Sequence, residues 1–218
     1  MMAKCALLLL TSHASLGNTS RGMGFYYDEM AVPYWTIRDL GQDISLASVA
    51  GEAGLSYPKT LVEPTKRPLN VTLFMDDDGT LEMDALQITA KASKIKGSDY
   101  HLVFLPSGNA PMWDFDNNPI SDIVTEAWAA GVIANLVYHG PAELIKAKEI
   151  NGKLVVYNKR FTSFTNRETE PIELIGAEPF LLETRLRDAE ALFQCSDKFK
   201  SHAVKDGQLN YLTNSAIH

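Results

Sequence analysis

Residues 135–142, which read Asn-Leu-Val-Tyr-His-Gly-Pro-Ala, carry the residue types of a reactive corner. The apolar residues before Tyr138 predict a strand, and Gly140 with Pro141 predicts that a helix follows directly after a tight turn. Such a turn projects its first side chain over the sheet and points N–H groups of the helix start into the same space. The phenol of Tyr138 and the imidazole of His139 can exchange protons. The corner therefore predicts the geometry of a nucleophile elbow, with an ordinary strand-to-helix turn as the alternative.

Alternating strands and helices are predicted to position this corner. Continuous apolar runs over residues 4–11, 98–105 and 132–137 are typical of strands that are covered on both faces, and residues 43–50 predict another strand. Helical spacing predicts helices over residues 25–40, 80–95, 118–130, 141–148 and 178–194. Residues 154–157 and 160–164 predict a strand pair, and residues 201–217 a turn with a last strand.

This alternation predicts the α/β class, as a flavodoxin-like sandwich whose mostly parallel sheet has helices on both faces. The corner follows a central strand of that sheet. No internal repeat or long linker interrupts the pattern, so residues 1–218 are expected to form one domain.

In parallel sheets, ligands bind beyond the carboxyl ends of the strands. Three predicted loops lie there, after Thr11, Leu105 and Val137. The candidate binding residues in the first two loops are His13, Ser107, Gly108, Asn109 and Trp113. Glu29, in the first predicted helix, is expected to bring a carboxyl group to the same place.

Composition limits the classes of function. The net charge of −7 argues against broad binding to nucleic acid or to anionic membranes. Two cysteines, Cys5 and Cys195, are too few for a disulfide framework or a zinc site, so no metal or cofactor is expected. Sparse cysteine fits a reducing compartment and predicts a cytoplasmic protein. No apolar run approaches the length of a membrane span, and residues 5–10 are interpreted as a buried strand rather than a signal peptide.

Several motifs resemble those of one family. Residues 136–141, Leu-Val-Tyr-His-Gly-Pro, are similar to the Val-Cys-His-Gly-Pro corner of the ThiJ/PfpI superfamily, which has a class I glutamine amidotransferase-like fold. Residues 105–110, Leu-Pro-Ser-Gly-Asn-Ala, resemble its Leu-Pro-Gly-Gly-His-Gly loop, and the following Pro-Met-Trp-Asp also matches. Residues 11–13, 24–25 and 29–33 resemble the first loop and helix of the family. Residues 164–166 and 179–183 resemble a downstream stretch of its chaperone/glyoxalase III-type branch, and residues 201–202 and 206–207 resemble its tail. The resemblance runs in order along essentially the whole chain.

The resemblance implies roles for individual residues. The family's corner cysteine is the nucleophile, and Tyr138 stands at its position here. Glu29 matches the glutamate that hydrogen-bonds the nucleophile, and His139 matches the base. A third acid orients that histidine, and its place falls near Thr169, which makes Glu168 or Glu170 the candidate. Gly108 and the backbone N–H of His139 correspond to an oxyanion hole.

The departures from the family pattern bear on function. A thiol ionises readily near neutral pH, whereas a phenol has a pKa of about 10 and is a poor nucleophile toward an aldehyde. Ser107, Asn109 and Ala110 also stand where the family loop has glycine, histidine and glycine. Several chemical groups of the predicted pocket are therefore changed together.

Three hypotheses follow from this combination. The first is a protein that has lost cysteine-dependent glyoxalase, deglycase or protease-type chemistry and acts as a small-molecule-binding or chaperone-like stress protein. The second is an enzyme of altered mechanism, a lyase, hydratase or isomerase acting on a small carbonyl compound through Tyr138, Glu29 and His139. The third and weaker one is residual glyoxalase III-like activity. The expected partners are a small polar or carbonyl ligand and, by resemblance, a second copy of the chain in a homodimer.

Overall fold

The computed structural model describes residues 5–18, 21–52, 54, 69, 72, 85–115, 118–170 and 178–213. These residues form a seven-stranded sheet in the order β3-β2-β1-β4-β5-β9-β8. Its strands are β1 (Cys5–Leu10), β2 (Asp43–Ser48), β3 (Ala90–Lys91), β4 (Leu102–Leu105), β5 (Ile133–Val137), β8 (His202–Asp206) and β9 (Leu209–Thr213). Neighbouring strands are parallel except the β8–β9 hairpin. The predicted flavodoxin-like α/β class is confirmed.

Helices pack on both faces of this sheet. They are α1 (Tyr27–Asp39), α2 (Pro111–Asp114), α3 (Asn118–Ala129), α4 (Asn166–Thr169) and α5 (Leu182–Asp188). Side chains alternate along β1, so Leu8 belongs to the buried cluster under α1, while Leu7 belongs to the cluster that contains the buried residues of α3. In α1 the helix continues through Pro33 without splitting. None of the helices among the described residues is both long and apolar enough to cross a membrane.

Several predicted elements differ from those observed, among them the helix predicted over residues 141–148, which is a 3-10 segment (Gly140–Ile145). Within residues 80–95, residues 85–87 are helical as predicted, whereas Ala90–Lys91 form β3 because they pair with β2, and a 3-10 turn follows. Residues 80–84 lie outside the described part. Residues 154–164 contribute only β6 (Arg160–Phe161), which pairs in parallel with β7 (Leu192–Phe193) in a separate small sheet. The helix predicted over residues 178–194 is limited to α5, since Glu190 has a φ of 59° and ends it.

Candidate functional site

The turn after β5 has the geometry that the sequence predicts. Tyr138 has a φ of 46°, and a 3-10 segment (Gly140–Ile145) begins two residues later. This left-handed conformation costs a non-glycine residue roughly 1–2 kcal/mol, so the surroundings must hold it. They do so through main-chain bonds. The Tyr138 N–H donates to the Leu212 carbonyl at 3.1 Å, and its carbonyl accepts from the Phe164 N–H at 3.2 Å.

The side chain of Tyr138 is part of the core. It is 7% exposed and belongs to the buried cluster between the sheet and α1. Its ring lies 5.7 Å from that of Phe164, centroid to centroid, and the His139 ring lies 4.7 Å from the same phenylalanine. The phenol therefore occupies packed space at the corner and does not project into open solvent.

Ser107 connects Glu29 to the corner. The Ser107 N–H donates to Oε2 of Glu29 at 3.2 Å, and the Ser107 hydroxyl accepts from the His139 N–H at 3.3 Å. The structure thus brings together three of the predicted site residues in one hydrogen-bonded chain. The His139 N–H, which the family resemblance places in an oxyanion hole, is already engaged by a hydroxyl of the protein.

Burial controls how tightly the Glu29 carboxyl holds its proton. Burial raises the pKa of Glu29 well above its usual range, and the nearby charge of Asp28 raises it further. The hydrogen bonds from Ser107 act in the opposite direction but are the smaller effect. Glu29 is therefore a carboxyl that binds a proton more tightly than an exposed glutamate does.

His139 faces a different carboxyl group from the two that the sequence predicted. Its Nε2 lies 3.5 Å from Oε1 of Glu178, and both side chains are 3% exposed. Burial lowers the pKa of His139 to about 3 and raises that of Glu178 to about 7. Near neutral pH the histidine is neutral and the acid is close to half protonated, so the contact is a long polar approach and not an ion pair.

Glu168 and Glu170, the candidate third acids, are elsewhere. The Glu168 carboxylate accepts hydrogen bonds from Thr165 and from the Phe199 N–H at 2.8 Å, completing a capping box at the start of α4. Glu170 is exposed. The structure places Glu178, and neither of these two residues, beside His139. Sequence reasoning does not identify Glu178, because its position fits the start of a predicted helix and its contact with His139 joins distant parts of the chain without a periodic signal.

The backbone conformation and the close packing at position 108 require a glycine there. Gly108 has a φ of 136°, and a Cβ placed there would lie 2.0 Å from the Gly24 carbonyl oxygen. It also forms an isolated antiparallel bridge to Phe25. This close approach fixes the loop after β4 against the start of α1, which sets the position of Ser107 relative to Glu29.

The remaining predicted residues lie in the segments that follow β1 and β4. They are His13, Asn109 and Trp113. The rings of His13 and Trp113 stack with centroids 5.3 Å apart and planes 3° apart. The Asn109 carbonyl accepts from the Met112 N–H at 3.1 Å, at the start of α2. Asp114 ties the loop after β1 to α2, because it accepts from the Thr11 hydroxyl at 2.8 Å. Trp113 also packs against two buried hydrophobic clusters.

Known proteins resemble this chain in sequence and in fold. It is 27% identical over 172 residues to the glutathione-independent glyoxalase hsp3102 of Schizosaccharomyces pombe, covering 77% of this chain and 71% of that protein. The Rapid Encystment Protein 24 kDa of Francisella tularensis superposes with a TM-score of 0.88 at 26% identity, over 97% of this chain and 92% of that one. Glyoxalase III of Candida albicans superposes with a TM-score of 0.85 at 22% identity, over 98% and 92%. No protein-family profile matches the chain.

These likenesses agree with the motif resemblance and with the observed sheet order. The homologues of this chain are glyoxalase III/Hsp31-type and DJ-1/ThiJ/PfpI superfamily proteins, and the chain has their fold. Its sequence relatives within that superfamily are named as glutathione-independent glyoxalases of the Hsp31 type.

Proposed function

We propose that this protein has kept the superfamily scaffold but lost cysteine-dependent glyoxalase chemistry, and that it acts as a small-molecule-binding protein. The observation that carries the proposal is Tyr138 itself. Its φ of 46° and its position directly after β5 are those of a nucleophile elbow, yet its side chain is a buried phenol. A phenol has a reference pKa of about 10, so it supplies almost no nucleophilic anion near neutral pH.

Neither thiol of the chain can substitute at the elbow. Cys5 begins β1, and β1 runs parallel to β4 and β5. Cys5 therefore lies at the amino ends of the strands, whereas Tyr138 lies at their carboxyl ends. Cys195 is exposed and lies 3.9 Å from the Arg167 guanidinium, on the segment after β7. The reaction that begins with thiolate attack on an aldehyde therefore lacks its nucleophile.

The hydrogen bond that the His139 N–H already makes also supports the proposed loss of catalysis. An oxyanion hole stabilises a transition state only with donors that are free to meet the developing charge. Here the Ser107 hydroxyl accepts from that N–H at 3.3 Å. A reacting carbonyl oxygen would have to displace this hydroxyl before it gained the same hydrogen bond.

An enzyme of altered mechanism is the second candidate, and one observation favours it. The pKa of Glu178, raised to about 7 by burial, is that of an efficient general acid or base near neutral pH, and Glu178 lies 3.5 Å from the neutral His139. In that mechanism His139 and Glu178 exchange a proton with a small carbonyl compound, and Tyr138 donates a hydrogen bond to its oxygen.

Methylglyoxal turnover tests the proposal. The wild-type protein is compared with Tyr138→Cys, and with Tyr138→Ser as a matched small side chain that lacks a thiol. We expect background rates for the wild type and for Tyr138→Ser, and lactate formation above background for Tyr138→Cys. Circular dichroism and thermal unfolding confirm that each variant is folded.

Each outcome has a defined meaning. Turnover by the wild type, retained in a Tyr138→Phe variant, would overturn lost catalysis and favour the residual glyoxalase activity for which the relatives are named. Turnover by the wild type that is lost in both Tyr138→Phe and Glu178→Gln would favour the altered mechanism.

A further inference from the structure

A cavity of about 590 Å³ lies between α1 and the β5–β9–β8 part of the sheet. Its walls include Val32 of α1, Val137 of β5 and Leu212 of β9. Val32 is 41% exposed and Leu212 is 45% exposed, so apolar side chains face an open space. The volume is within the range of small-molecule sites, which are mostly apolar with a few polar groups that orient the ligand.

Two acidic residues line one side of this cavity. Asp28 and Glu29 both lie in the first turn of α1 and both line the cavity. The opposing charge is Lys205 on β8, which also lines the cavity but is exposed. The cavity therefore combines an acidic side with an apolar wall.

We propose that this cavity binds a small organic cation, namely a primary or secondary amine with an apolar body. The ammonium group lies beside Asp28 and Glu29, and the apolar body contacts Val32, Val137 and Leu212. The inference rests on the proposed small-molecule-binding function and names the site and the class of ligand. It places the ligand on the face of the sheet, beside α1, and not on the buried ring of Tyr138.

Charge favours a cation over an anion here. An anion of the same shape could approach Lys205, but it would also have to approach the Asp28 carboxyl on the other side of the cavity, and it could not stabilise an ionised Glu29. A cation beside Glu29 stabilises its ionised form and therefore promotes loss of its proton. Binding of an amine is thus expected to release a proton, which an unrelated apolar contact would not do.

Calorimetric titration near neutral pH tests the proposal with 2-phenylethylamine as the probe and 3-phenylpropionate as the anion of matched shape. We expect the amine to bind more tightly than the anion. Titrations in buffers of different ionisation enthalpy are expected to show proton release for the wild type and none for Glu29→Gln.

Val32→Arg places a guanidinium within the cavity and is expected to weaken amine binding by about tenfold or more, since like charges repel at close range. Thr36→Arg is the matched control, because Thr36 is exposed one turn further along α1 and does not line the cavity. This control is expected to bind the amine as the wild type does.

No binding of the amine, tighter binding of the anion, or binding that Val32→Arg leaves unchanged would overturn the proposal. The proposed loss of catalysis is tested separately by methylglyoxal turnover. Amine binding with wild-type turnover would reject that loss alone, whereas absent turnover without amine binding would reject this site alone.

Discussion

Oε1 of Glu178 lies 3.5 Å from Nε2 of His139, and each side chain is 3% exposed. A carboxyl group and an imidazole, which are usually charged or in contact with water, are therefore buried side by side next to the nucleophile elbow. Burial moves their pKa values in opposite directions, upward for the acid and downward for the base, so both favour their neutral forms. This arrangement gives the protein a characteristic dependence of stability on pH.

Glu178→Gln is expected to change how stability varies with pH. The folded protein holds the proton of Glu178 up to a pKa of about 7, against an ordinary value of 4.5. The Glu178 contribution to the free energy of unfolding therefore falls as pH rises through this window, by about 3 kcal/mol in total. Urea unfolding of wild type and Glu178→Gln at a series of pH values gives this difference. Equal curves for the two proteins would contradict the assignment.

His139→Asn is expected to remove a pH dependence of stability whose sign is opposite to that of Glu178. The folded-state pKa of His139 is about 3 and the ordinary value is 6.5, so its contribution to stability falls as pH decreases through that window. Between the ordinary value of Glu178, 4.5, and that of His139, 6.5, the two contributions oppose each other in the wild type. Urea unfolding at the same series of pH values measures the His139 contribution. If the free energy of unfolding of His139→Asn varies with pH in parallel with that of the wild type, the histidine is not buried in its neutral form.

Glu168→Ala is expected to destabilise the fold by about 2 kcal/mol, because it removes a capping box and a further bond from the Phe199 N–H. Glu170→Ala is the matched control, since Glu170 is exposed, and is expected to stay within about 0.5 kcal/mol of the wild type. Chemical unfolding measures both. Similar losses for the two variants would show that the cap contributes little.

Gly108→Ala is expected to cost about 3 kcal/mol or more, since its Cβ would overlap main-chain atoms at a positive φ. Gly207→Ala also has a positive φ, but nothing lies within 4 Å of the added Cβ, so we expect a loss of only about 1 kcal/mol. Thermal and urea unfolding compare the two. If both variants lose the same stability, the close approach to Gly24 does not constrain the loop.

Ser107→Gly is expected to raise methylglyoxal turnover in the Tyr138→Cys background by about tenfold or more, because it frees the His139 N–H to stabilise an oxyanion. The effect should appear in kcat. Ser107→Thr retains a hydroxyl and serves as the control. A double variant no faster than Tyr138→Cys alone would mean that the hydroxyl does not block the donor.

The strands and the elbow could be predicted because their signals are local. The apolar runs that became β1, β4 and β5 are continuous, and Gly140 with Pro141 marks the turn within a few residues. The contact of Glu178 with His139 has no such signal, since it joins distant parts of the chain and depends on where α5 begins. The cavity beside α1 also depends on which part of the sheet a helix leaves uncovered, and a single sequence does not encode that in any short pattern.

The positive φ of Tyr138 has a consequence for how this protein could change over generations. The left-handed turn is held by main-chain bonds to Leu212 and Phe164, whatever the side chain at position 138. Every tyrosine codon becomes a cysteine codon by a single base substitution. A point mutation could therefore place a thiol on a turn that is already formed, so the tyrosine and the cysteine forms of this scaffold are one base substitution apart.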